Sequence, residues 1–126
     1  MAFNGAEFYE LAGSIYQRCA ENQASLRTSI SRSYYGAFLC ARNMAGIADT
    51  SEDVHKRTYE YYVTKGQLAL ANSLDALRRQ RNQADYYCRM QFSRRDVYMR
   101  LSDADKVLRA LGITASAAAS FAVTPR

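Results

Sequence analysis

The chain of 126 residues has no tryptophan, one proline, six glycines, three cysteines and one histidine. Each scarcity excludes something. So little proline and glycine leaves few punctuation points, which speaks for long elements and against a turn-rich β architecture. The cysteines, Cys19, Cys40 and Cys88, are odd in number and far apart, and fit neither a disulfide framework nor a zinc spacing. Cys19 and Cys40 fall on apolar helical positions and read as small buried hydrophobes, in keeping with a reducing, cytoplasmic setting. His55 has no second histidine to pair with, so no metal site is expected and no cofactor is called for. There is no Gly-rich phosphate loop, no GxSxG and no HExxH. No apolar run approaches a membrane span, and the first seven residues lack the basic and apolar regions of a signal peptide. The length suits one domain and leaves no room for a two-domain enzyme with a cofactor cleft.

What is present is ordinary in bulk and uneven in detail. Apolar residues make up 48% and charged residues 23%, as in a folded domain. The net charge is +5, carried by 14 arginines and only three lysines (Lys56, Lys65, Lys106). Arginine favours planar, bidentate pairing with phosphate and carboxylate. The excess is local. Residues 1–77 carry net −1, residues 78–100 net +5 and residues 101–126 net +1. A basic stretch of this kind is either the electrostatic footprint of a polyanion or a solvated helix face with a salt-bridged loop.

A period of three to four residues dominates. Phe8, Leu11, Ala12, Ile15 and Cys19 form one stripe, predicting a helix over about 5–20. Leu26, Ile30, Tyr34, Ala37, Phe38, Ala41 and Ala45 predict a second over about 22–46, with Gly46 near its end. Thr50-Ser51-Glu52-Asp53 reads as a capping box before a third helix bearing Val54, Thr58, Tyr61 and Tyr62. Gly66 marks a break, and a fourth helix is predicted over about 67–88. Ser93-Arg94-Arg95-Asp96 is a second capping box, opening a fifth helix with Val97, Leu101, Ala104, Leu108 and Leu111 on one face and Gly112 at its stop. No β pattern competes, and no internal repeat is present. The expected fold is an all-α, antiparallel bundle of four to five helices over residues 1–112, with residues 113–126 as a flexible tail.

The fourth helix carries an anomaly. Its inward stripe runs Leu70, Leu74, Leu77, Arg81, Ala84, Cys88, so Arg81 stands where an apolar side chain is due. A guanidinium there is costly unless paired or facing a partner. Asp85, four residues on, can pair with it. The pair is either a buried structural one or an anion-binding arginine set in a cleft or subunit seam, with Asn82, Tyr86 and Tyr87 able to contact nucleotides. Tyr34, Tyr35, Tyr59, Tyr61 and Tyr62 read as packing residues before they read as a stacking platform. His55, in the first turn of the third helix and followed by Lys56 and Arg57, reads as a surface or satisfied histidine before a catalytic one.

Two segments carry a family resemblance. Ser31-Arg32-Ser33-Tyr34-Tyr35-Gly36-Ala37-Phe38-Leu39-Cys40-Ala41-Arg42 resembles the S-R-x-Y-Y-A-x-F-x-x-A-R helix of HEPN-domain proteins (higher eukaryotes and prokaryotes nucleotide-binding). Leu74-Asp75-Ala76-Leu77-Arg78-Arg79-Gln80-Arg81-Asn82-Gln83-Ala84-Asp85-Tyr86 resembles the L-x-x-L-R-x-x-R-N-x-A-D-Y signature of one branch of small prokaryotic HEPN proteins. Val54-His55-Lys56-Arg57 sits where that branch often shows Lys-Thr-His. The resemblance spans about residues 5–111 in helix order.

The resemblance implies a homodimer whose motif helices meet at a seam, with Arg81, Tyr34 and Tyr35 there. It also implies a metal-independent endoribonuclease site of the form Arg-x(4–6)-His. Such proteins are often toxins or antiviral defence effectors, and some pair with a nucleotidyltransferase antitoxin or join a larger defence complex. Cleavage by the RNA's own 2′-OH needs a base for that hydroxyl and a cation for the charge growing on the phosphorane oxygens. Arg81 would supply the cation, and Asp85, Tyr86 or His55 would orient or deprotonate the hydroxyl. Arg78, Arg79, Asn82, Arg89, Arg94 and Arg95 are the candidates for binding RNA phosphate. Where the motif places its histidine this chain has Tyr86, Tyr87 and Cys88, and tyrosine, with an ordinary pKa near ~10, is a poor base. The alternatives are therefore a HEPN module that binds RNA or nucleotide without cleaving it, or an interaction subunit of a larger assembly.

Overall fold

The computed structural model describes residues 3–18, 22–48 and 52–113. They form five helices: α1 (Ala6–Arg18), α2 (Gln23–Met44), α3 (Val54–Thr64), α4 (Leu68–Tyr86) and α5 (Arg94–Ala110). No strand occurs among the described residues. All five predicted helices are there; α2 and α4 are each one residue shorter at the start and two at the end than expected. Cys19 and residues 114–126 of the expected tail lie outside the described residues.

The helix ends follow local chemistry. Asn22 caps α2 by accepting the Ser25 N–H at 2.8 Å. Ser93 and Asp96 form the expected capping box on α5. The box expected before α3 does not start that helix. Asp53 itself is the N-cap and makes no side-chain cap bond, while Thr50 and Ser51 lie outside the described residues. Gly66 and Gly112 end α3 and α5 at φ +78° and +77°, a conformation that costs glycine little. No glycine follows α4. It stops because Arg27 of α2 takes the carbonyls there: Nη1 donates to Ala84 O at 2.9 Å, and Nη2 to Tyr87 O at 3.1 Å and to Met90 O. Gln23 completes the clasp, donating to Phe92 O at 2.8 Å and accepting from Phe92 N at 3.0 Å. The link from α4 to α5 is thus held by α2. One predicted residue falls out of place as a result: Cys88 lies beyond the helix end and is exposed, so the inward stripe finishes at Ala84.

α2 touches each of the other four helices. It runs antiparallel to α1, since Gly36 meets Tyr9 and Gly5 meets Leu39. It runs antiparallel to α4, with Arg27 at Ala84 and Tyr34 at Arg81. α5 lies parallel to α2, starting where Phe92 meets Gln23, and so does α3. His55 meets Tyr34, and Tyr62 donates to Ala41 O at 2.7 Å, both at a separation of 21 residues.

α1 corrects the predicted stripe. It buries Ala6, Tyr9, Ala12, Gly13 and Tyr16, and leaves Leu11 46% exposed. Apolarity alone pointed to Leu11. The tyrosines bring more surface to bury, and the helix turns its small residues to α2, where Ser29 Oγ donates to Ala12 O at 2.9 Å. The approach is close because Gly36 has no side chain. A Cβ there would stand 2.7 Å from Tyr9 N and 2.8 Å from Tyr9 Cβ. Gly36→Ala is expected to push α1 off α2 and cost about 1–3 kcal/mol. Urea unfolding at neutral pH checks this: the midpoint drops without a change in slope.

Candidate functional site

Arg81 is buried, as its place on the α4 stripe requires, with 8% of its surface exposed. Its guanidinium lies over two rings of α2, 5.4 Å from the centroid of Tyr34 and 5.4 Å from that of Tyr35. Nη1 is 3.7 Å from Asp85 Oδ2, and that oxygen also accepts from Ser31 Oγ at 3.3 Å. Nε has no hydrogen-bond partner among the described residues. Two ring faces and one carboxylate therefore offset the desolvation of a full charge. A cation on a ring away from water is stabilised by about 2 kcal/mol.

Tyr34 connects this cation to the single histidine. It is 1% exposed, and its hydroxyl is hydrogen-bonded to His55 Nδ1. The His55 ring is stacked on Phe38, with centroids 4.4 Å apart and planes 24° apart. Burial pushes the Tyr34 hydroxyl well above the usual tyrosine range, although Arg81 and Arg78 pull the other way. The hydroxyl thus keeps its proton at any physiological pH. No other acceptor for it exists among the described residues, so Tyr34 O–H donates to Nδ1. The neutral ring must then carry its own proton on Nε2. Burial first, then the charges of Arg78 and Arg81, hold the His55 pKa below the ordinary histidine value. His55 is accordingly a neutral N–H donor at pH 7.

A cavity of about 340 Å³ opens beside it, between the start of α3 and the middle of α4. Tyr34, Phe38, His55, Tyr59 and Leu74 make its ring and apolar walls. Lys56 and Arg78 bring positive charge, and Glu52, Asp53 and Asp75 negative charge. Asp75 is already held by Arg79 at 3.3 Å. No group of three His, Cys, Asp or Glu side chains suited to a metal ion occurs among the described residues.

The predicted site residues separate into three sets. Arg81, Asp85, His55 and Arg78 come together around Tyr34 and the cavity. Arg79, Tyr86, Arg89 and Arg95 are exposed on the far end of α4, the link and the first turn of α5, with Asn82 half-buried among them. Arg94 is turned inward: Nη1 donates to Tyr16 O at 2.9 Å, and the guanidinium lies 4.2 Å over the Tyr16 ring. Sequence reasoning missed Lys56, Tyr59 and the acids as cavity residues, because the parallel return of α3 brings them there. No described helix is long and apolar enough to cross a membrane. Comparison with known protein families, curated proteins and solved structures finds no match.

The depressed His55 pKa has a consequence for stability. Between the folded value and the unfolded value of about 6.5, the unfolded chain binds a proton that the folded chain does not. This contribution is complete above about pH 6.5 and is lost as pH falls through that value toward the folded one. Urea midpoints at pH 8 and pH 5.5 are expected to fall more for the wild type than for His55→Asn.

Proposed function

We propose that this chain is an HEPN-like RNA-binding protein that grips RNA at the junction of α4 and α5. One observation carries the reading: exposed arginines are interleaved there with exposed tyrosines. Arg79, Arg89 and Arg95 face solvent, and Tyr86 and Tyr87 are 69% and 56% exposed. Cations neutralise phosphates and ring faces stack bases, the combination that binds single strands with little sequence preference. Because Arg27 and Gln23 clasp the link, this surface is ordered before RNA arrives, which lowers the cost of binding.

Fluorescence anisotropy with a labelled single-stranded RNA tests it. Three phosphate contacts give a log-log salt slope of about −2. Arg89→Gln with Arg95→Gln should bring the slope to about −1. Tyr86→Ala with Tyr87→Ala should weaken binding by about 1–3 kcal/mol per stacked base and leave the slope alone. Salt-independent binding, or none, defeats the reading.

A second reading, metal-independent RNA cleavage, draws on the continuous arrangement of Arg81, Tyr34 and His55. Under it two copies pair and complete a site at a shared seam, as the resemblance implies. RNA incubated with EDTA should then be cut by the wild type and left intact by Arg81→Met, and light scattering should give twice 14.2 kDa. The tautomer of His55 favours binding: an Nε2–H donates to a phosphate oxygen and cannot take a proton from a 2′-OH.

A further inference from the structure

The end of the bundle opposite the Arg27 clasp is less completely covered. The parallel helices α2, α3 and α5 finish there, and α4 begins there. A cleft of about 440 Å³ lies among these ends. Met44 of α2, Tyr61 and Tyr62 of α3, Lys65 and Gln67 of the turn into α4, and Leu111 after α5 line it. Met44 is 59% exposed, and Val63 and Leu68, either side of that turn, are exposed as well. Apolar surface gathered at one place on a small protein marks a contact. The polar groups of the lining are largely engaged. Lys65 Nζ lies 5.5 Å from the centroid of the Tyr61 ring, and the Tyr62 hydroxyl donates to Ala41 O. No acid occurs among the described residues of the lining, so nothing in it attracts a cationic partner. Ring, thioether and aliphatic surface of this kind fits an uncharged apolar segment.

The chain supplies such a segment at this very place. Leu111 lines the cleft, and two residues on Ile113 packs half-buried against the core. Residues 114–126, beyond it, carry no charge before Arg126 and include Phe121 and Val123 among five alanines. A segment that stays in water is ordinarily rich in charge and poor in aromatics. This one has the opposite composition. We propose that residues 120–123 return to the cleft of their own chain and that Phe121 fills it, against Met44, Tyr61 and Leu111. A ring there gains from the Tyr61 ring and the Met44 sulfur as well as from burial. Phe121 stands eight residues past Ile113, a stretch that reaches roughly 26 Å when extended, so the return needs no strain. Tethering beside the cleft gives the segment an effective concentration on the order of millimolar. A foreign apolar peptide has no such advantage. The cleft lies roughly 26 Å along α2 from Arg27, so this inference goes beyond the RNA-binding reading and can fail without it.

NMR of the full-length chain, with ¹³C in the methionine methyls, tests the proposal. NOEs are expected between the Phe121 ring and the Met44 methyl, together with a ring-current shift of that methyl that disappears in Phe121→Ser. Met44→Glu identifies its signal among the four methionines. Amide exchange at residues 120–123 should be about tenfold slower than in an unstructured peptide, and should return to the peptide rate in Met44→Glu. Met44 is exposed, so this variant keeps the fold, and far-UV circular dichroism checks that it does. Leu11→Glu, on the outer face of α1, is the control for docking elsewhere and should leave the protection unchanged. Peptide-like exchange at residues 120–123 of the wild type, with no NOE to Met44, overturns the proposal. So does protection that survives Met44→Glu. A mixture of ¹³C-labelled and unlabelled chains separates the two ways of filling the cleft. NOEs found only between chains of different label put the segment on a second copy and overturn the return to its own cleft. Salt-sensitive RNA binding in a protein with none of these signals would leave the RNA surface standing and remove the docked segment.

Discussion

A guanidinium buried between two helices must be compensated, and most of the local structure follows from how this one is. Arg81 is largely shielded from bulk water, and α2 offers it the faces of Tyr34 and Tyr35 while α4 offers Asp85. That commits Tyr34 to one rotamer. With its ring under the cation, its hydroxyl points away and must find an acceptor of its own. The acceptor is His55, and the bond fixes both the start of α3 and the tautomer of the imidazole. α3 has few other ties to α2, the Tyr62 bond to Ala41 O being one of them. A charge on α4 therefore positions a ring on α3 through a phenol on α2.

The preference for arginine over lysine takes on a second meaning. Four arginines of the described residues lie over aromatic rings: Arg27 on Phe92, Arg32 on Phe8 and Tyr35, Arg81 on Tyr34 and Tyr35, and Arg94 on Tyr16. A planar, weakly hydrated cation stacks and donates at its edges at the same time; an ammonium cannot. Arg27 and Arg94 do both, holding backbone carbonyls with their nitrogens. The tyrosine-rich, tryptophan-free composition is the other half of this arrangement. Structural arginines seat the helices, and the remaining exposed ones, Arg79, Arg89 and Arg95 among them, leave a basic surface.

Much of the fold was legible from one-dimensional pattern. Five helices, the Ser93 box and the stops at Gly66 and Gly112 depend on residues within a few positions of one another. The α1 face was misread because the stripe weighed Leu11 by its apolarity, whereas Gly36 set which side of α1 could approach. The end of α4 was misplaced because its stop signal is Arg27, nearly sixty residues away in sequence. Of the candidate site, the Arg81–Asp85 pair was visible because it lies within one helix. Arg94 looked like a surface cation, since nothing nearby in sequence reveals the Tyr16 carbonyl that takes it.

By itself the sequence determined the helical class, the helix ends with local caps, and the presence of one arginine on an apolar stripe. These are matters of period, capping and i to i+4 neighbours, and they need no knowledge of what packs on what. Only the tertiary structure decided which rings Arg81 would meet, that His55 would face Tyr34, and that Lys56, Tyr59 and Arg78 would share one cavity. The reason is the parallel return of α3 beside α2. It brings together residues 21 positions apart at two points, a pairing set by shape and burial rather than by any short-range preference of the chain.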